Sequence, residues 1–94
     1  MDSAGTKALR EAIKHQHSCD SKWVETVPVT DKLNGETVWQ GEVEVFFLIG
    51  HPTAQRAYAW SYATEGDRRK FVAVLGIGPV IDAISAVRAS NAAK

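Results

Sequence analysis

From Thr37 to Ile49, and again from Gln55 to Thr64, neighbouring residues sort by turns into two sets of different character. A period of two is the signature of an extended strand, whose side chains point alternately to opposite faces. In the first segment Thr37, Trp39, Gly41, Val43, Val45, Phe47 and Ile49 share one face, and Val38, Gln40, Glu42, Glu44, Phe46 and Leu48 share the other. In the second, Tyr58, Trp60 and Tyr62 lie opposite Ala57, Ala59, Ser61 and Ala63. If Gly50-His51-Pro52-Thr53 connects the arms, antiparallel pairing sets Val45 beside Tyr58, Val43 beside Trp60 and Gly41 beside Tyr62. A slip of one residue would set Glu44 opposite Trp60 and mix the two faces.

The remaining segments read as follows. Asp2 or Ser3 caps a helix that runs to about His17, with Leu9, Ala12, Ile13 and Gln16 on its apolar stripe. Lys22 to Val29 is a strand, and Pro28, which has no ladder donor, places it at a sheet edge. Lys32-Leu33-Asn34-Gly35 is a tight turn, because Asn-Gly accepts the positive φ that a short hairpin requires. Lys70 to Ile77 is a further strand with Phe71, Ala73, Leu75 and Ile77 alternating with Val72, Val74 and Gly76. Gly78 breaks it, and Pro79 opens a final helix with Asp82 near the positive end of its dipole and Val80, Ile84 and Val87 as its buried stripe.

The expected fold is α+β: one domain over residues 1–94, in the order α-β-β-β-β-α, with a four-stranded antiparallel sheet and both helices on one sheet face. That arrangement leaves Phe46, Leu48, Val72 and Val74 on the other face, an apolar surface that a homodimer would cover.

Charge narrows the partners. Eleven basic and eleven acidic residues cancel, so no bulk field attracts nucleic acid or an anionic membrane. A single cysteine, Cys19, excludes an intrachain disulfide and fits a reducing compartment. The first residues lack the pattern of a signal peptide, and no apolar run approaches the roughly 18 residues that a membrane-spanning helix needs, so the expected location is the cytoplasm.

Candidate chemistry is sparse. His15, His17 and Cys19 alternate, and imidazole and thiolate are zinc ligands, but residues two apart on a helix point to nearly opposite sides, so no metal is expected there. Cys19 lacks a flanking signature for nucleophilic work. Glu42 and Glu44 lie two apart on one strand face, a spacing open to shared acid/base or metal chemistry as well as to simple solvation. Glu25, in a register that pairs Trp23 with Val43, faces the same side as Gly41 and Tyr62, where burial would suit it to acid/base work or to holding a cation among aromatic rings. Gly76-Ile77-Gly78-Pro79 before a helix lacks the third glycine and the lysine of a phosphate-binding loop. No cofactor is implied.

Thr37-Val38-Trp39-Gln40-Gly41-Glu42-Val43-Glu44-Val45-Phe46, Gly50-His51-Pro52, Arg56-Ala57-Tyr58-Ala59-Trp60, Phe71-Val72-Ala73-Val74-Leu75 and Ala86-Val87-Arg88 together resemble a group of short uncharacterised bacterial proteins, of the kind carried on mobile integron gene cassettes. The resemblance implies a bacterial, soluble, single-domain protein and carries no functional residue.

Three readings of function follow. The first is a non-enzymatic, homodimeric module that binds a small molecule or a protein in a concavity lined by Trp23, Glu25, Trp39, Tyr58, Trp60 and Tyr62. The second is a small enzyme with Glu25 or a histidine as its acid or base. The third is RNA binding through the aromatic sheet face, against which stands the absence of net positive charge.

Overall fold

The structure is a computed structural model that describes residues 4–66 and 68–92. Helix α1 (Ala4–His17) is followed by strands β1 (Asp20–Leu33), β2 (Glu36–Ile49), β3 (Arg56–Ala63) and β4 (Arg69–Leu75), then by helix α2 (Ala83–Ala92). The strands form one antiparallel sheet in the order β1-β2-β3-β4. The caps expected at Asp2 or Ser3 lie outside the described residues.

Local chemistry explains the joints. Asn34 and Gly35 both take positive φ, 54° and 82°, and close the β1–β2 hairpin at Leu33 opposite Glu36. After β2, His51 folds back so that its Nδ1 accepts the backbone N–H groups of Thr53 (3.2 Å) and Ala54 (2.9 Å), fixing the bend into β3. Helix α2 begins at Ala83, later than the expected start at Pro79. Asp82 and Ser85 set that start reciprocally: Asp82 Oδ1 accepts from Ser85 N at 2.9 Å, and Ser85 Oγ accepts from Asp82 N at 3.0 Å. Pro79 sits in the preceding turn instead.

The sequence pattern places both helices on one sheet face, whereas in the structure they cover opposite ones. Leu9 and Ile13 of α1 pack with Phe46, Leu48, Ala57 and Ala59, whereas Ala83, Ala86 and Val87 of α2 pack with Val43, Val45, Tyr58 and Trp60. Both faces of β2 and β3 are therefore core. The register assigns Val72 and Val74 to the α2 side, opposite Trp60 and Tyr58, and Ala73 and Leu75 to the α1 side. The apolar set that called for a dimer through the sheet is thus divided between two faces, each with its own helix over it: Phe46 and Leu48 are buried and Val72 and Val74 half-buried within the chain.

Two further registers differ from expectation. β1 pairs Trp23 with Phe46 rather than Val43, and a bulge places Val24 as an extra residue before Glu25 meets Val45. The bulge reverses the alternation, so Trp23 packs on the α1 side while Val27 and Val29 pack on the α2 side. Between β2 and β3 the ladder runs only from Phe47 opposite Arg56 to Glu44 opposite Ala59. Val45 meets Tyr58 as expected, but the pairings of Val43 with Trp60 and Gly41 with Tyr62 do not form, because the strands part beyond Glu44.

The outer strands are both modified along their free sides. Pro28 interrupts the donors of β1. On β4, Gln16 Nε2 donates to the carbonyl of Phe71 (3.4 Å), and His17 Nε2 lies 3.1 Å from the carbonyl oxygen of Ala73. A tie between Arg88 and Asp31 joins α2 to β1.

Candidate functional site

The parting of β2 from β3 creates a hollow on each side of the sheet, with Trp60 lining both. On the α2 side, Trp39, Trp60, Tyr62, Val72, Ser90 and Asn91 surround about 250 Å³. Trp39 and Trp60 meet edge to face, their ring centroids 5.7 Å apart and their planes at 71°, a favourable aromatic geometry. Trp39 bridges the opening between the strands at this point. Gly41 makes room for it: a Cβ there would stand 3.0 Å from Trp39 Cη2. Trp60 is buried, Trp39 is half-buried and Tyr62 is exposed at the rim.

On the α1 side the hollow is polar, about 320 Å³, and is lined by Thr6 and Leu9 of α1, Glu42 and Glu44 of β2, Trp60 and Ser61 of β3, and Arg69 of β4. Two of its charges are held in place. Glu44 Oε1 accepts from the indole N–H of Trp23 (2.8 Å) and from the hydroxyl of Thr26. Arg69 sets Nε and Nη2 on Ser61 Oγ, at 3.2 and 2.9 Å. Glu42 is exposed.

Of the residues expected to line one concavity, the structure brings together Trp39, Trp60 and Tyr62. Tyr58 shares their sheet face but lies buried farther along β3, where its hydroxyl donates to the carbonyl of Ile81 at 3.2 Å. Trp23 is on the opposite face and reaches the polar hollow only through Glu44. Glu25 is exposed beyond the bulge and lines neither hollow. Ser61 and Arg69 escaped the sequence reading, as did Ser90 and Asn91. The Ser61–Arg69 contact follows from the β3–β4 register, in which Ala63 meets Arg69, and a sequence cannot fix that register to one residue.

The other candidates are accounted for locally. Cys19 is buried, and burial, reinforced by the charge of Asp20, pushes its thiol above the ordinary range, the reverse of what a nucleophile needs. His15 is exposed, and the ring of His17 meets the Ala73 carbonyl. Among the described residues no group of three or more His, Cys, Asp or Glu could hold a metal ion. The N-terminus of α2, where a phosphate-binding turn would act, already has the carboxylate of Asp82; the backbone N–H and hydroxyl of Ser85 hold that carboxyl below its ordinary range. Among the described residues no helix is long and apolar enough to cross a membrane.

Comparison with protein-family models, curated proteins and solved structures gives no match for this chain.

Proposed function

We propose that the chain is a binding module that takes a small planar organic molecule into the hollow between β3 and α2. The observation that carries this reading is the corner made by Trp39 and Trp60 with Tyr62 at its rim, beside the polar side chains of Ser90 and Asn91. Aromatic walls with a few polar groups are the usual composition of a small-molecule site. A volume of about 250 Å³ suits one or two rings. Among the described residues the lining has no carboxylate, histidine, lysine or cysteine, which favours binding over acid/base chemistry. Tyr58 and Trp60 are buried and offer no open platform to nucleic-acid bases. A reducing compartment suits the free, buried Cys19.

The test is a titration of nitrogen-15-labelled protein with a panel of single-ring and fused-ring heterocycles, read at the three tryptophan indole N–H resonances. The expected result is a saturable shift at Trp39 and Trp60, lost in Tyr62→Ala at unchanged thermal stability. If no compound in the panel moves those two resonances at millimolar concentration, the proposal fails.

A further inference from the structure

We propose that the polar hollow on the α1 side is a second, independent site, and that it takes a small zwitterion of the α-amino acid class. The two carboxylates come from β2 and the guanidinium from β4, on either side of β3, and the β2–β3 ladder ends at Glu44 opposite Ala59, so the space beyond that pair is open to a ligand. Glu42 and Glu44 stand on one strand face two residues apart, about 7 Å along the chain. An ammonium group, with three donors, fits between such a pair. Arg69 on β4 has its Nε–Nη2 edge on Ser61 and keeps the Nη1–Nη2 edge, and a ligand carboxylate is the planar acceptor that matches a guanidinium edge.

Placement of these groups before binding strengthens the assignment. Glu44 is oriented by Trp23 and Thr26, and Arg69 is steered by Ser61 into the hollow it lines. A ligand therefore meets charges whose side-chain freedom is already reduced, which lowers the cost of ordering them. Among the described residues the lining carries two carboxylates and one guanidinium, which repel a simple anion and leave the guanidinium unanswered by a simple cation. A molecule with both an ammonium and a carboxylate answers both. The side chain of Leu9 leaves an apolar wall for a ligand side chain.

The contact between Trp23 and Glu44 supplies a direct readout. An ammonium drawn to Glu44 changes the field at the Trp23 indole N–H, whereas a ligand in the aromatic hollow reaches Trp39 and Trp60. The experiment titrates nitrogen-15-labelled protein with the common amino acids one at a time, alongside propionate and ethylamine as partial analogues of alanine. A saturable shift of the Trp23 resonance is expected for at least one amino acid, weakened at least tenfold in Glu42→Gln and in Arg69→Gln. Both substituted residues are exposed, so the variants should fold, and their dispersed spectra would verify it. The proposal is overturned if no amino acid moves Trp23 at millimolar concentration, if propionate or ethylamine binds as tightly as alanine, or if the two variants bind like the parent. Failure here leaves the aromatic hollow untouched, because the two sites report through different indoles.

Discussion

Arg88 Nε lies 3.1 Å from Asp31 Oδ1, and this contact joins the C-terminal helix to the first strand across 57 residues of chain. Asp31 is the more enclosed partner, with a side chain only 10% exposed against 60% for Arg88. Its position opposite Trp39 in the β1–β2 ladder means that the same contact holds α2 close to the wall of the aromatic hollow. Arg88→Ala strands a carboxylate in a nearly closed site. A loss of about 1–2 kcal/mol is expected, below the range for a fully buried pair because solvent screens the guanidinium. A double-mutant cycle with Asp31→Ala, read by urea denaturation, tests it, and strictly additive single effects would show that the pair contributes nothing.

Trp60→Ala should lower stability by about 3–5 kcal/mol, since a buried indole leaves both a cavity and an unsupported Trp39. A chemical denaturation curve with an unchanged midpoint and slope would show that the ring is not core.

Gly41→Ala is expected to displace Trp39 while leaving the strand itself intact. The added methyl would stand 3.0 Å from Cη2 of the indole, closer than packed carbons tolerate, so the ring has to move. The measurable consequence is a changed near-ultraviolet circular dichroism spectrum, with the Trp39 indole resonance moved and that of Trp23 in place. An unaltered Trp39 signal would refute the close approach.

Cys19 should resist modification. Its raised thiol, caused first by burial and then by Asp20, leaves little thiolate at neutral pH. An aromatic disulfide reagent should react much more slowly with the native protein than with the protein in denaturant. Equal rates would contradict the packing of Cys19 beneath α1.

Asp82 links the start of α2 to acid stability. Its folded carboxyl titrates lower than in the unfolded chain because the N–H and hydroxyl of Ser85 bond to the charged form. The stabilisation is therefore fully present above the ordinary aspartate range and is lost as the pH falls through the folded value. Asp82→Asn should flatten that part of the stability-versus-pH profile, measured by thermal melts at stepped pH. A variant profile parallel to the parent's would remove Asp82 from the cause.

The sequence revealed those parts of the fold that depend on neighbours in the chain. Asn34-Gly35 announced its hairpin through the conformations its residues accept, and Val45 could be paired with Tyr58 because only one register keeps aromatics with branched residues. The helix placement was not legible, since Val72 to Leu75 is apolar on both faces and the pattern alone does not say which parity goes with Trp60. Trp23 was misassigned for a similar reason. One extra residue, Val24, flips every side chain before it, and no local signal marks the bulge. The candidate sites were half legible: Trp39, Trp60 and Tyr62 share a parity that can be read, while Arg69 meets Ser61 only by virtue of the fold.

The side chains of Gln16 and His17, set against the carbonyls of Phe71 and Ala73, have a bearing on how these molecules behave in a crowd. An open strand flank is a template on which another copy can add its own strand, and repeated addition yields fibrous aggregates. Here the last strand has two of its acceptors engaged by the end of the first helix, and the first strand has a proline and a bulge where a recruited strand would need an unbroken row of donors. Concentrated solutions of the native protein should therefore stay clear, and the turn of helix that ends in His17 acts as a guard against polymer growth.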